Sequence, residues 1–115
     1  MMKTVETVVQ ENLESYNRRD IEAYMSSFSK DIELYAFHGT KPLIIGWDDF
    51  RAFYDKLFRD SPELHSTVLK RIVFGNTVMD HERITGRQGM TEAFEIVMIY
   101  EVTEEKIVRM TILRK

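Results

Sequence analysis

Asp80, His81, Glu82 and Arg83 stand in a row within Val78-Met79-Asp80-His81-Glu82-Arg83-Ile84-Thr85-Gly86, a segment whose flanks read as a β-strand. Successive strand side chains point to opposite faces, so Asp80 and Glu82 share one face and His81 and Arg83 the other. Two parities follow. With Val78 and Ile84 pointing inward, the two carboxylates come together away from water. Burial and mutual repulsion would then raise one pKa, letting one acid donate a proton while the other accepts. With the opposite parity, His81 and Arg83 enter the interior and favour an anion, His81 changing charge near neutral pH. A buried charge is costly unless paired, so the row marks a site candidate, with Asp80, His81 and Glu82 as its catalytic residues. A structural ion-pair network or a charged subunit interface is the reading that carries no chemistry.

The rest of the composition narrows the chemistry. A chain of 115 residues with 43% hydrophobic residues is long and apolar enough for one domain, spanning residues 1–115, around one core. The net charge is −3 and the basic residues are scattered, as in Arg18-Arg19, Lys70-Arg71 and Arg114-Lys115, which argues against a nucleic-acid partner. The absence of cysteine removes disulfides, thiolate catalysis and cysteine-based zinc sites, and fits a cytoplasmic protein. His38, His65 and His81 form no ligand pattern, so no metal is expected. No apolar run is long enough to span a bilayer, and the first residues lack a signal-peptide core. Gly86-Arg87-Gln88-Gly89 reads as a hairpin connection rather than a phosphate loop, and no serine sits in a nucleophile elbow. Any activity is therefore expected to need no cofactor.

The elements that must position the row are legible from periodicity. Val5, Val8, Val9, Leu13 and Tyr16 recur at helical spacing. Asn17-Arg18-Arg19-Asp20 ends that helix, and Asp20 can cap a second one showing Ile21, Tyr24, Met25 and Phe28 on one side. Ile32, Leu34 and Tyr35 to Phe37 suggest a short strand. Gly46 precedes a third helix carrying Trp47, Phe50, Phe53, Tyr54, Leu57 and Phe58, which Ser61-Pro62 stops. Four strands then follow, about Leu64 to Phe74, Thr77 to Gly86, Thr91 to Val102 and Lys106 to Arg114, with a turn signal at Gly75-Asn76. Helices first and hairpin-linked strands after is the α+β pattern, with an antiparallel sheet curled around the helices.

The strand from Phe94 to Val102 carries a second message. Phe94, Ile96, Met98, Tyr100 and Val102 fall on one face, while Val97 and Ile99 fall on the other between Glu95 and Glu101. A sheet wetted on one side would alternate more cleanly, so both faces are expected to be covered. The three helices cover one. A homodimer through the outer sheet face would cover the other. Arg83 on that face could pair with Glu95 or Glu101.

The element order resembles the NTF2-like (cystatin-like) α+β cone, and within that superfamily the chain is similar to SnoaL-like and ketosteroid-isomerase-like proteins. The likeness is carried by Asn17-Arg18-Arg19-Asp20, Phe28-Ser29-Lys30-Asp31, Gly46-Trp47-Asp48-Asp49-Phe50-Arg51-Ala52-Phe53-Tyr54 and Glu104-Glu105-Lys106-Ile107-Val108. It implies three N-terminal helices on a curved antiparallel sheet, an apolar conical pocket for a small hydrophobic ligand, and frequent dimerisation. It also implies that Tyr16, Phe28, Phe53, Leu57 and Met98 contact that ligand. The chemistry of the named relatives does not transfer whole. Ketosteroid isomerases use an oxyanion tyrosine, a general base and a protonated oxyanion aspartate. Those positions fall here on Asn12, Ala36 and Met98. Glu82-Arg83 resembles the arginine-bearing segment of limonene-epoxide hydrolases, but their two carboxylates fall on Thr85 and near Ile112. For the aspartate acid/base of SnoaL-type cyclases, Asp80 is the strand carboxylate on offer. Isomerisation, cyclisation, dehydration or hydration would each fit, against a non-catalytic ligand-binding or dimerisation module.

Overall fold

The computed structural model describes residues 2–115. Helix α1 spans Val5–Arg18; Thr4 caps it by accepting from the Thr7 amide, and Arg19 closes it in the left-handed region at φ 55°. Asp20 accepts from the Ala23 amide at 3.1 Å, the expected cap of the short helix α2, Ile21–Met25. Strand β1, Phe28–Ala36, and the two-residue β2, Ile44–Ile45, lead through Gly46 into α3, Trp47–Asp60. The second half is β3, His65–Phe74; β4, Thr77–Thr85; a single 3-10 turn, Arg87–Gly89; β5, Phe94–Thr103; and β6, Lys106–Arg114.

These strands form one six-stranded sheet in the order β2-β1-β6-β5-β4-β3, with the helices on its concave face. The α+β expectation holds, with one difference. β1 runs parallel to β6, while the other four pairings are antiparallel. The parallel pair arises because β1 precedes α3 and its crossover returns the chain to the far end of the sheet. β1 also starts earlier than the periodicity suggests. Phe28 does not extend α2; it opens the strand opposite Ile107, with Ser27 accepting from the Ile107 amide at 2.7 Å.

The core lies between the helices and the inner face of β4, β5 and β6. Val78 and Ile84 from β4, with Ile96, Met98, Tyr100 and Val102 from β5, are all buried. Against them sits an aromatic cluster in which Phe28 packs on Tyr24 at 5.0 Å and on Phe50 at 4.6 Å between ring centroids. The outer face has no covering layer within one chain: Met79, Val97, Ile99 and Leu113 are half-buried, and Ile72 is exposed.

One backbone position fixes how β4 is handed on to β5. Gly86 adopts φ +73°, and a Cβ there would lie 2.2 Å from the Glu63 carbonyl oxygen. Any other residue must strain the turn and push the β4 end off the α3–β3 connection. Gly86→Ala should therefore destabilise the fold by about 2 kcal/mol or more, read as a lowered urea unfolding midpoint with an unchanged slope.

Candidate functional site

β4 places its four ionisable residues by the inward-carboxylate parity. Asp80 and Glu82 are 0% and 4% exposed beneath the helices, whereas His81 and Arg83 point to the outer face. Val78 and Ile84 share the inner face with the acids, and burying them decides the orientation.

The two buried carboxylates have different surroundings. Asp80 receives a bidentate ion pair from Arg71, Nε to Oδ1 at 2.7 Å and Nη2 to Oδ2 at 2.9 Å. Arg71 is steadied in turn by Gln10 on α1, whose Oε1 accepts from Nη1 at 2.9 Å. A β-bulge makes this partnership. The β3–β4 register shifts between Val68 and Lys70, so Arg71 rather than Lys70 lies opposite Asp80. The guanidinium fork then matches the carboxylate geometry, as a lysine could not.

Glu82 has no cation against it. Ser66 Oγ donates to Oε1 at 2.7 Å and the Tyr100 hydroxyl donates to Oε2 at 3.3 Å. Burial outweighs those donors and, with the nearby Asp80 charge, pushes the Glu82 carboxyl up to about 7. Ser66 is held by Asn17, whose Oδ1 accepts from the Ser66 amide at 2.8 Å and whose Nδ2 donates to the Ser66 carbonyl at 3.0 Å. The Asn17-Arg18-Arg19-Asp20 segment thus does more than end α1: it fixes the hydroxyl that orients Glu82.

Glu82 opens onto a cavity of about 400 Å³ walled by α1, α3 and the inner sheet face. Tyr16, Phe53, Leu57 and Met98 line it, together with Asn12, Leu34, Tyr54 and Tyr100. Burial raises the Tyr16, Tyr54 and Tyr100 phenols, so each is a neutral hydrogen-bond donor at physiological pH. Arg87 and Arg114 complete the wall. Residues suited to metal binding do not cluster anywhere among the described residues.

The expected site is therefore divided. Glu82 alone of the three catalytic candidates faces the cavity. Asp80 is consumed by Arg71, because the bulge brings that cation to it. His81 lies outside, 41% exposed, with Nε2 at 2.6 Å from Glu95 Oε1. His81, not Arg83, takes the Glu95 partner; Glu101 instead meets Arg109, Nε to Oε2 at 3.6 Å. Phe28 is not in the cavity wall, because opening β1 turns it into the aromatic core. Asn12 and Met98, where ketosteroid isomerases would place oxyanion donors, do line the cavity, whereas Ala36 does not. Sequence reasoning missed Ser66, Tyr100, Arg87 and Arg114. Tyr100 alone carried a signal, as the polar-tipped residue on the inward parity of β5.

The unequal partners of the two acids set a pH signature. With the folded pKa near 7 and an unfolded value near 4.5, Glu82 favours folding while protonated. That contribution is complete below about pH 4.5 and lost as pH rises through about 7, a fall of about 3 kcal/mol. Glu82→Gln should flatten the fall in denaturant titrations across this range. Asp80→Asn should instead lower stability near neutral pH by about 3 kcal/mol, because it leaves Arg71 without its partner.

Residues 9–110 match the SnoaL-like domain family. No curated protein matches the chain in sequence. Among solved structures, an uncharacterised cystatin-fold protein from Novosphingobium aromaticivorans superposes with a TM-score of 0.89 at 20% identity, covering 97% of this chain and 99% of its own. A candidate ketosteroid isomerase from Kribbella flavida gives a TM-score of 0.82 at 17% identity, covering 96% of this chain and 77% of its own. A candidate SnoaL-like polyketide cyclase from a Jannaschia species gives 0.79 at 17% identity, covering 94% and 83%. At these identities the likeness establishes the shared fold.

Proposed function

The chain belongs to the SnoaL-like domain family, and on that premise we propose that it takes a small, mostly apolar molecule into the cavity and moves a proton on it through Glu82, without a cofactor. The observation that carries this reading is one buried carboxyl, poised near neutral pH, in the wall of an otherwise largely apolar cavity. Such a group can give a proton below its pKa and accept one above it. The Ser66 hydroxyl and the Tyr100 phenol fix its orientation. The Tyr16 and Tyr54 phenols, also in the wall, can donate to negative charge developing on a substrate oxygen. Isomerisation, cyclisation, dehydration and hydration all meet these terms. A cytosolic location fits the cysteine-free composition.

A dimer through the outer sheet face belongs to the same proposal. Ile72, Met79 and Ile99 align across β3, β4 and β5, and Val97 pairs with Leu113 across β5 and β6. The His81–Glu95 and Arg109–Glu101 contacts rim this apolar strip. An apolar centre with a polar rim is what a self-complementary interface needs.

Two measurements test this reading. Leu57→Trp, which fills the cavity, should abolish the thermal-shift response to small apolar molecules. Glu82→Gln should retain that response but lower turnover of any substrate so found by about 10²- to 10⁴-fold. Retained binding in Leu57→Trp, or unchanged turnover in Glu82→Gln, would overturn it. For the dimer, sedimentation should give two copies per particle for the wild type and one for Val97→Arg; a monomeric wild type refutes the interface.

A further inference from the structure

The cavity holds a charge pattern that proton transfer by Glu82 does not use. Glu82 pairs across the sheet with Ile96, and Ile96 pairs with Arg114, so all three lie in one row on the inner face of β4, β5 and β6. Neighbouring strands lie about 5 Å apart, which sets the Arg114 backbone about 10 Å from that of Glu82. Arg114 is the last residue of β6 and is exposed, while Glu82 is buried; the row runs from the depth of the cavity to its mouth.

Arg87 reaches the same mouth from the other side, and its backbone is built to stay there. Gly86, immediately before it, is turned to φ +73° against the Glu63 backbone. Immediately after it, the Gln88 amide donates to Ser61 Oγ at 2.9 Å, and Ser61 is fully buried at the end of α3. The two clamps bracket Arg87. Both Arg87 and Arg114 also line the shallow groove that adjoins the cavity. Neither guanidinium makes an ion pair or a side-chain hydrogen bond among the described residues. The acid of that groove, Glu95, is engaged by His81 at 2.6 Å and by Lys115 at 3.7 Å.

We propose that the cavity selects an amphipathic carboxylate, with its apolar body against Tyr16, Leu57 and Met98 and its carboxylate between Arg87 and Arg114. This rests on the ligand-binding reading above and names its substrate class. Two guanidiniums against one acid leave the cavity with a single net positive charge when all three are ionised, which matches a monoanion. Guanidinium forks suit a planar carboxylate. In a protein of net charge −3, a positive mouth also draws an anion to the one place where its body can be buried.

The test is calorimetric titration at pH 8 with naphthalene carboxylate and with the neutral naphthyl methanol. Wild type should bind the carboxylate about tenfold more tightly than the alcohol, less than fully buried charge-assisted bonds would give because the mouth is wet. The double variant Arg87→Gln/Arg114→Gln should lose that preference while holding the alcohol within about twofold, since its apolar contacts remain. Leu57→Trp should weaken both probes. Equal affinities in the wild type, or a preference that survives the double variant, would overturn the carboxylate proposal and leave the apolar pocket standing. Failure of both probes to bind would remove the ligand-binding reading, and this proposal with it.

Discussion

Closing the helices over the concave sheet takes two carboxylates of one strand out of water together, and the rest of the molecule is arranged around that cost. Asp80 and Glu82 lie two residues apart on β4, beneath the helices. Left ionised and unpartnered, either would oppose folding by several kcal/mol. Asp80 is neutralised by a two-point bond from Arg71. Glu82 receives only neutral donors, and its burial is relieved by holding a proton through most of the acidic range. The asymmetry between the two acids leaves Glu82 as the carboxyl without a bound cation at the cavity wall.

That asymmetry is produced by backbone irregularities, not by side-chain choice alone. The shift at Leu69 exchanges Lys70 for Arg71 opposite Asp80. The left-handed Gly86 sends the chain out of β4 against α3, where Ser61 receives Gln88 and Arg87 is carried to the cavity mouth. The αL residue Arg19 and its neighbour Asn17 tie the end of α1 to β3: Arg19 Nη1 donates to the Leu64 carbonyl at 2.8 Å, and Asn17 brackets Ser66. Each irregularity gives up local regularity to aim one group, which is how bulges and turns serve a site within a regular sheet.

The relation to isomerases and cyclases of the same fold is one of architecture. The cone supplies a cavity and a sheet wall on which acids can be mounted; which acid is mounted, and at what depth, differs from chain to chain. Here Asn12 and Met98 line the cavity without charge, and the carboxyl that faces it, Glu82, stands on β4. A cavity with one near-neutral carboxyl inside and two guanidiniums outside is a different electrostatic environment from a pair of opposed acids.

Much of the fold is legible in the sequence because periodicity reports burial directly. The α1 stripe, the Asp20 cap, the stop at Ser61-Pro62 and the alternation in β5 are local signals with local causes. Phe28 misleads by the same logic, since a few residues past a short helix its spacing fits the helix and the strand equally. Within the site, the pairing of Asp80 with Glu82 on one face follows from the two-residue period of a strand. The sequence by itself determined that charge would be buried on this strand, because any strand carrying four ionisable residues in succession must turn two of them inward. Which acid met a cation and which faced the cavity was decided by tertiary structure: a one-residue bulge set Arg71 opposite Asp80, while Glu82 was left facing the cavity with only Ser66 and Tyr100 as donors, and a pairing across the fold leaves no period in the sequence.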